Sequence, residues 1–188
     1  MIFRDLIPAT WLCWALYWWL TARNVKANLW RESTASRLLH GAPLVIAFLF
    51  LSPGGMHVKG IAARSAPAAS VAYWIGAALT AAGLSFAVWA RRNLGRNWSG
   101  TITIKVDHEL ITRGPYRIVR HPIYSGILLG FIGSALATGS WRGLVAVILA
   151  SLAIWRRVYI EEGGMRRTFG AAYDDYAKRV AALVPFLF

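Results

Sequence analysis

Asp107 to Gly126 reads DHELITRGPYRIVRHPIYSG, and the way this stretch meets its neighbours decides the fold. It is polar and basic, with two His, three Arg, two Tyr and two Pro. Directly after it the chain is apolar for more than a dozen residues. Ionisable groups are costly in hydrocarbon, so the boundary between the two runs marks a membrane edge. So dense a set of hydrogen-bonding side chains at such an edge is read as the wall of a ligand site.

Composition supports the membrane reading. Of 188 residues, 57% are hydrophobic and 15% charged, against about a quarter charged in soluble domains. The apolar residues come in blocks, as expected of one small integral membrane domain covering 1–188. The net charge of +13 would suggest nucleic acid on a soluble protein. Here Lys and Arg flank apolar blocks, so the expected partner is the lipid bilayer and no nucleic acid. Cys13 is the single cysteine, which excludes intrachain disulfides, Cys-based zinc sites and a CxxC pair. The four His lack ligand spacing, and no metal is expected.

Five spans are predicted, at Leu6–Ala22, Leu38–Leu51, Ala69–Ala90, Pro122–Thr138 and Leu144–Ile160. The first is bulky and aromatic with no small-residue cleavage site, so it is read as a retained span. The second covers only ~21 Å of a ~30 Å hydrocarbon core. Spans four and five form a helical hairpin about Gly139–Gly143. Gly126, Gly130, Gly133 and Ala137 put small residues on nearby faces of span four, a pattern for close helix packing. Phe169, Tyr173, Tyr176 and Val180 share one face of an amphipathic, interfacial C-terminal helix. The fold class is thus all-α: five transmembrane helices and that final helix.

Charge sets the orientation. With five spans, 17 Lys and Arg fall on one side and 4 on the other. A re-entrant second span would give 14 against 7. The positive-inside rule favours the first split and places both 91–121 and the C-terminus in the cytoplasm.

Two clusters on that side can carry chemistry. The first is His108, Glu109, Tyr116, Arg117, Arg120, His121 and Tyr124. His121-Pro122 opens a helix, which aims backbone N–H groups at the cluster and suits an anion such as a carboxylate. A solvated basic loop at lipid headgroups is the alternative. The second is Glu161-Glu162, two carboxylates ending an apolar helix. They suit an ammonium or sulfonium ligand, or ion pairs with Arg156, Arg157 or Arg166. His40 and His57 are read as interfacial residues, and the Trp and Tyr of span one as packing or belt residues.

Asn93-Leu-Gly-Arg-Asn-Trp-Ser99, His108-Glu-Leu-Ile111, Gly114-Pro-Tyr116 and Arg120-His-Pro-Ile-Tyr-Ser-Gly126 resemble the isoprenylcysteine carboxyl methyltransferase family, whose wider group includes phospholipid methyltransferases. Glu161-Glu162, Phe169-Gly170, Tyr173, Tyr176, Val180 and Pro185 extend the resemblance to about residues 91–188. It implies S-adenosylmethionine as methyl donor. It also implies a catalytic half, 91–188, following three N-terminal spans in 1–90. His108, Glu109, Leu110, Ile111, Tyr116, His121, Pro122, Ile123, Tyr124 and Glu162 are the implied cofactor contacts, with Leu110, Ile111 and Ile123 over the adenine. Arg120 or Arg157 would orient a carboxylate acceptor, and Glu161, His121 or Tyr124 would help an amine or thiol lose its proton. The acceptor is expected to be lipid-like or a small membrane-accessible molecule. Membrane sterol reductases, which use a nicotinamide cofactor, share a similar GPYxxxRHPxYxG block but are longer. They are the alternative reading, with a non-catalytic membrane protein. The Ala-, Arg- and Gly-rich composition suggests a bacterial inner membrane.

Overall fold

The computed structural model describes residues 5–22, 28–31, 33–52, 71–98, 103–105 and 109–186. Six helices dominate it: α1 Leu6–Thr21, α2 Thr34–Leu51, α3 Val71–Leu94, α4 Pro122–Thr138, α5 Trp141–Phe169 and α6 Ala171–Arg179. Three stretches are long and apolar enough to cross a membrane: α2, Val71–Asn97 and α5. The apolar α4 is shorter. His57, His108 and Ala69 lie outside the described residues.

The helix ends depart from expectation for local reasons. α2 starts at Thr34, four residues before the apolar block, because Ser33 caps it by accepting from the Ser36 N–H at 3.2 Å. That adds a turn and lengthens the helix to ~27 Å. α5 does not stop at Ile160. It runs on through Gly163 and Gly164 to Phe169, held by the i,i+4 pairs Arg157–Glu161 and Glu162–Arg166. Gly170, at φ 50°, then breaks the chain into α6. Of the charges of α6, Asp174 meets Arg166 at 3.4 Å and Lys178 meets Asp175 at 3.1 Å.

The all-α expectation holds for the bundle, with one addition. β1 (Asn28–Arg31) pairs antiparallel with β2 (Thr103–Lys105), linking two polar connections. These strands are too short and polar to show alternation.

Packing centres on α3 and α4. On α3 the buried Gly76, Thr80, Gly83, Ala87 and Ala90 follow alternating steps of four and three, which keeps one face aligned. Opposite lie Gly126, Gly130, Gly133 and Ala137 of α4. A Cβ on Gly83 would lie 2.5 Å from the Gly126 carbonyl oxygen, so the two backbones touch. Small residues drive packing where the surroundings are as apolar as Leu, as the sequence pattern implied. Thr80, Ser134 and the Trp11 indole form a polar knot here: Trp11 Nε1 donates to Ser134 Oγ at 3.0 Å. α2 packs along α5, and Arg142 at the start of α5 donates to the Ser52 carbonyl at the end of α2, 2.9 Å away.

Candidate active site

At one end of the bundle the helices enclose a cavity of about 570 Å³. One wall is apolar and aromatic, with Trp18, Leu94, Trp98, Ile111, Ile123 and Ile127; the other carries Arg120, His121, Tyr124, Arg157 and Glu161. Each polar side chain is there because of its element. The Gly114–Arg117 3-10 turn, with Gly114 at φ 61°, folds the polar segment back and buries Pro115 and Tyr116. His121 then serves as N-cap of α4 with Pro122 in its first turn, and Tyr124 follows one turn in.

Tyr124 is the hub. Its hydroxyl donates to Glu161 Oε1 at 2.5 Å and accepts from Arg157 Nε at 2.5 Å. Arg157 also reaches Glu161 at 3.2 Å. The His121 ring stacks with Tyr124, centroids 5.9 Å apart, and lies 3.7 Å from Glu161.

The two glutamates divide. Glu161 lines the cavity. Glu162 is buried behind it, 2.7 and 2.9 Å from two nitrogens of Arg120, 3.3 Å from His121 Nε2 and 3.3 Å from Arg166. Arg120 in turn donates to the carbonyls of Ala177, at 3.0 Å, and Val180. Of the three ion-pair partners expected for the acids, Arg157 and Arg166 fill the role. Arg156 turns to Ser36 instead.

The anion site expected at the start of α4 is narrower than its sequence suggests. The Arg120 and His121 N–H groups donate to Ala181 and Ala182 at 2.8 and 3.0 Å, and Ser125 Oγ donates to Leu183. The tail therefore takes up these donors. It is tied again by Tyr176, whose hydroxyl donates to the Tyr116 carbonyl at 2.6 Å. Burial pushes the Tyr176 phenol up to about 12 and raises the Tyr116 phenol as well, so both stay protonated.

The structure thus gathers Glu109, Leu110, Ile111, Tyr116, Arg120, His121, Ile123, Tyr124, Arg157 and Glu161 on one cavity. Pro122 is buried beside it. Three features escaped the sequence reading. Trp18, taken as a packing or belt residue, lines the cavity. Asn97 also lines it, and its Oδ1 is buried with no hydrogen-bond partner among the described residues. Asn97 and Trp98 did stand inside the Asn93–Ser99 motif, the signal that could have found them. His40, read as interfacial, is buried within the protein at 4% exposed, between Arg156 and Arg157.

The phospholipid methyltransferase family profile matches residues 71–172. A probable protein-S-isoprenylcysteine O-methyltransferase of Oryza sativa subsp. indica is 36% identical over 99 residues, 50% of each chain. Methanethiol S-methyltransferase 2 of Bradyrhizobium diazoefficiens is 42% identical over 74 residues, 39% of this chain and 27% of that one. The structure of a eukaryotic intramembrane Ras methyltransferase, an isoprenylcysteine carboxyl methyltransferase, superposes with a TM-score of 0.58 at 22% identity. That match covers 84% of this chain and 55% of the other. The chain spans about half the length of the rice protein it matches.

Proposed function

The chain belongs to the phospholipid methyltransferase family, and from that premise we propose that it transfers a methyl group from S-adenosylmethionine to a membrane-accessible acceptor. The observation that carries this reading is the cavity's division into an apolar aromatic wall and a polar wall on which the Glu161 carboxylate sits among donors. Its volume lies within the usual range for small-molecule and cofactor sites.

The residues fit the donor. Glu161 suits an ammonium or sulfonium charge, and Leu110, Ile111 and Ile123 suit the adenine faces. The unpartnered Asn97 Oδ1 offers an acceptor for an N–H of the bound molecule. Bound there, S-adenosylmethionine would supply an electrophilic methyl group. The chain's own residues then position and desolvate, which is most of what an in-line displacement needs. Arg157 orients a carboxylate acceptor, while Glu161, His121 or Tyr124 takes the proton of an amine or thiol. Arg120, locked on Glu162 and the tail, and Glu162 itself hold the His121 wall in place. The acceptor is lipid-like or small, and membrane-facing apolar surface lies close by.

We place five spans in the membrane, with α6 at the interface and the cavity on the cytoplasmic side. The 17-to-4 charge division supports that orientation. Purified protein should gain thermal stability from S-adenosylmethionine or its demethylated product, and none from NADPH. The reverse pattern would sink the proposal in favour of a reductase. A radiolabelled transfer screen against membrane lipid extract and small thiols then identifies the acceptor.

A further inference from the structure

We infer that His40, on α2, is a positioning residue for Arg157. His40 Nε2 lies 3.2 Å from Arg157 Nη1, while Arg157 Nε engages Tyr124 and Glu161. One imidazole thus fixes the far edge of the guanidinium whose near edge meets the cavity's polar hub. His40 does not itself line the cavity, although Leu44, one turn further along α2, does. Its action is therefore through Arg157.

The hydrogen-bond chemistry defines the form of His40 that does this. A neutral imidazole has one accepting nitrogen and one N–H. Nε2 has the closer guanidinium, so its lone pair accepts from Arg157 and the proton resides on Nδ1. Arg156, 3.5 Å from Nδ1, has other acceptors in the Ser36 carbonyl and hydroxyl, at 3.3 and 3.2 Å. The contact also reaches across the chain. α2 lies outside residues 71–172, the segment the family shares, yet it sets the orientation of a side chain within that segment.

The test uses the full chain in detergent micelles, isotope-labelled on nitrogen. His40→Gln places an amide oxygen near the Nε2 position, His40→Asn places it near Nδ1, and His40→Ala removes both. The Arg157 Nε–H signal, assigned by its loss in Arg157→Lys, should exchange with water about tenfold faster in the Ala and Asn variants, because a guanidinium released at Nη1 loosens its Nε contacts with Tyr124 and Glu161. The Gln variant should match wild type. Equal exchange in all four proteins, or a Gln variant as fast as Ala, overturns the inference. A kinetic arm rests on the methyltransferase reading. With methanethiol or an S-farnesylcysteine carboxylate as probe, kcat should fall about tenfold in the Ala and Asn variants. The stabilisation by S-adenosylmethionine should be kept. If wild type shows neither stabilisation nor transfer while the exchange pattern is as expected, the methyltransferase reading fails and the positioning contact stands.

Discussion

Glu161 and Glu162 are neighbours in sequence with different surroundings, because consecutive helical residues point about 100° apart. One lines the cavity; the other is closed in by Arg120, His121 and Arg166. Their neutral variants should separate accordingly. Glu161→Gln should abolish the S-adenosylmethionine-induced stabilisation and cost less unliganded stability than the same change at its neighbour, since Arg157 keeps Tyr124 and His40. Glu162→Gln should lower the unliganded stability by about 3 kcal/mol, since it strands a buried guanidinium. Chemical denaturation in detergent checks both. The pair itself was legible in the sequence, but which acid faces the cavity was not. The sequence reading ended the span at Ile160, and only a helix continuing to Phe169 sets the phase of the two side chains. At Tyr176 the prediction concerns pH. Burial raises its phenol to about 12 from an ordinary value near 10. Its contribution to stability is therefore complete below pH ~10 and is lost as pH rises towards the folded value. Tyr176→Phe should cost about 1 kcal/mol at neutral pH and flatten that alkaline loss, as read from denaturation midpoints across the range.

Among the elements, the α3–α4 seam is the most demanding. A Cβ on Gly126 would fall on the Gly83 carbonyl oxygen and 2.9 Å from Ala87 Cβ. Neither neighbour is the end of a flexible side chain, so the helices must part. Gly126→Ala should destabilise by about 1–3 kcal/mol. Gly163→Ala is the control: its Cβ would meet nothing closer than an Arg167 nitrogen at 3.6 Å. It should be neutral or stabilise by up to ~1 kcal/mol, since a mid-helix glycine is costly. Thermal melts of the two variants side by side decide the matter. The small residues of α4 announced this seam in the sequence. Their partner did not declare itself, because Ala and Gly in α3 have no side chain whose pattern names an opposing surface. The turns of α2 before Leu38 and the strands β1 and β2 were illegible for another reason: a cap and a backbone ladder hold them, with no apolar face to form a pattern.

For the whole molecule, orientation is the open quantity, and the sole cysteine makes it accessible. In a Cys13→Ser background, single cysteines at Lys59 and Lys178 should react with a membrane-impermeant thiol reagent from opposite sides of sealed vesicles. Labelling from the same side would remove the five-span topology. The proposed two-sided partition of charge was read from sequence alone, because Lys and Arg sit between the apolar blocks. The tail's return onto Arg120 and His121 was not, since it is made by backbone carbonyls that every sequence has.

The contact of α3 with α4 through bare backbone has a mechanical consequence. With only small side chains between them, these helices have little compliant material at their contact, and together they form one plate bearing His121 and Tyr124. Arg157 and Glu161 ride on α5, backed by α2, as a second plate. The Tyr124 hydroxyl, held between Glu161 and Arg157, is then the latch across the joint. A parting of the two plates would unfasten that hydroxyl from both partners.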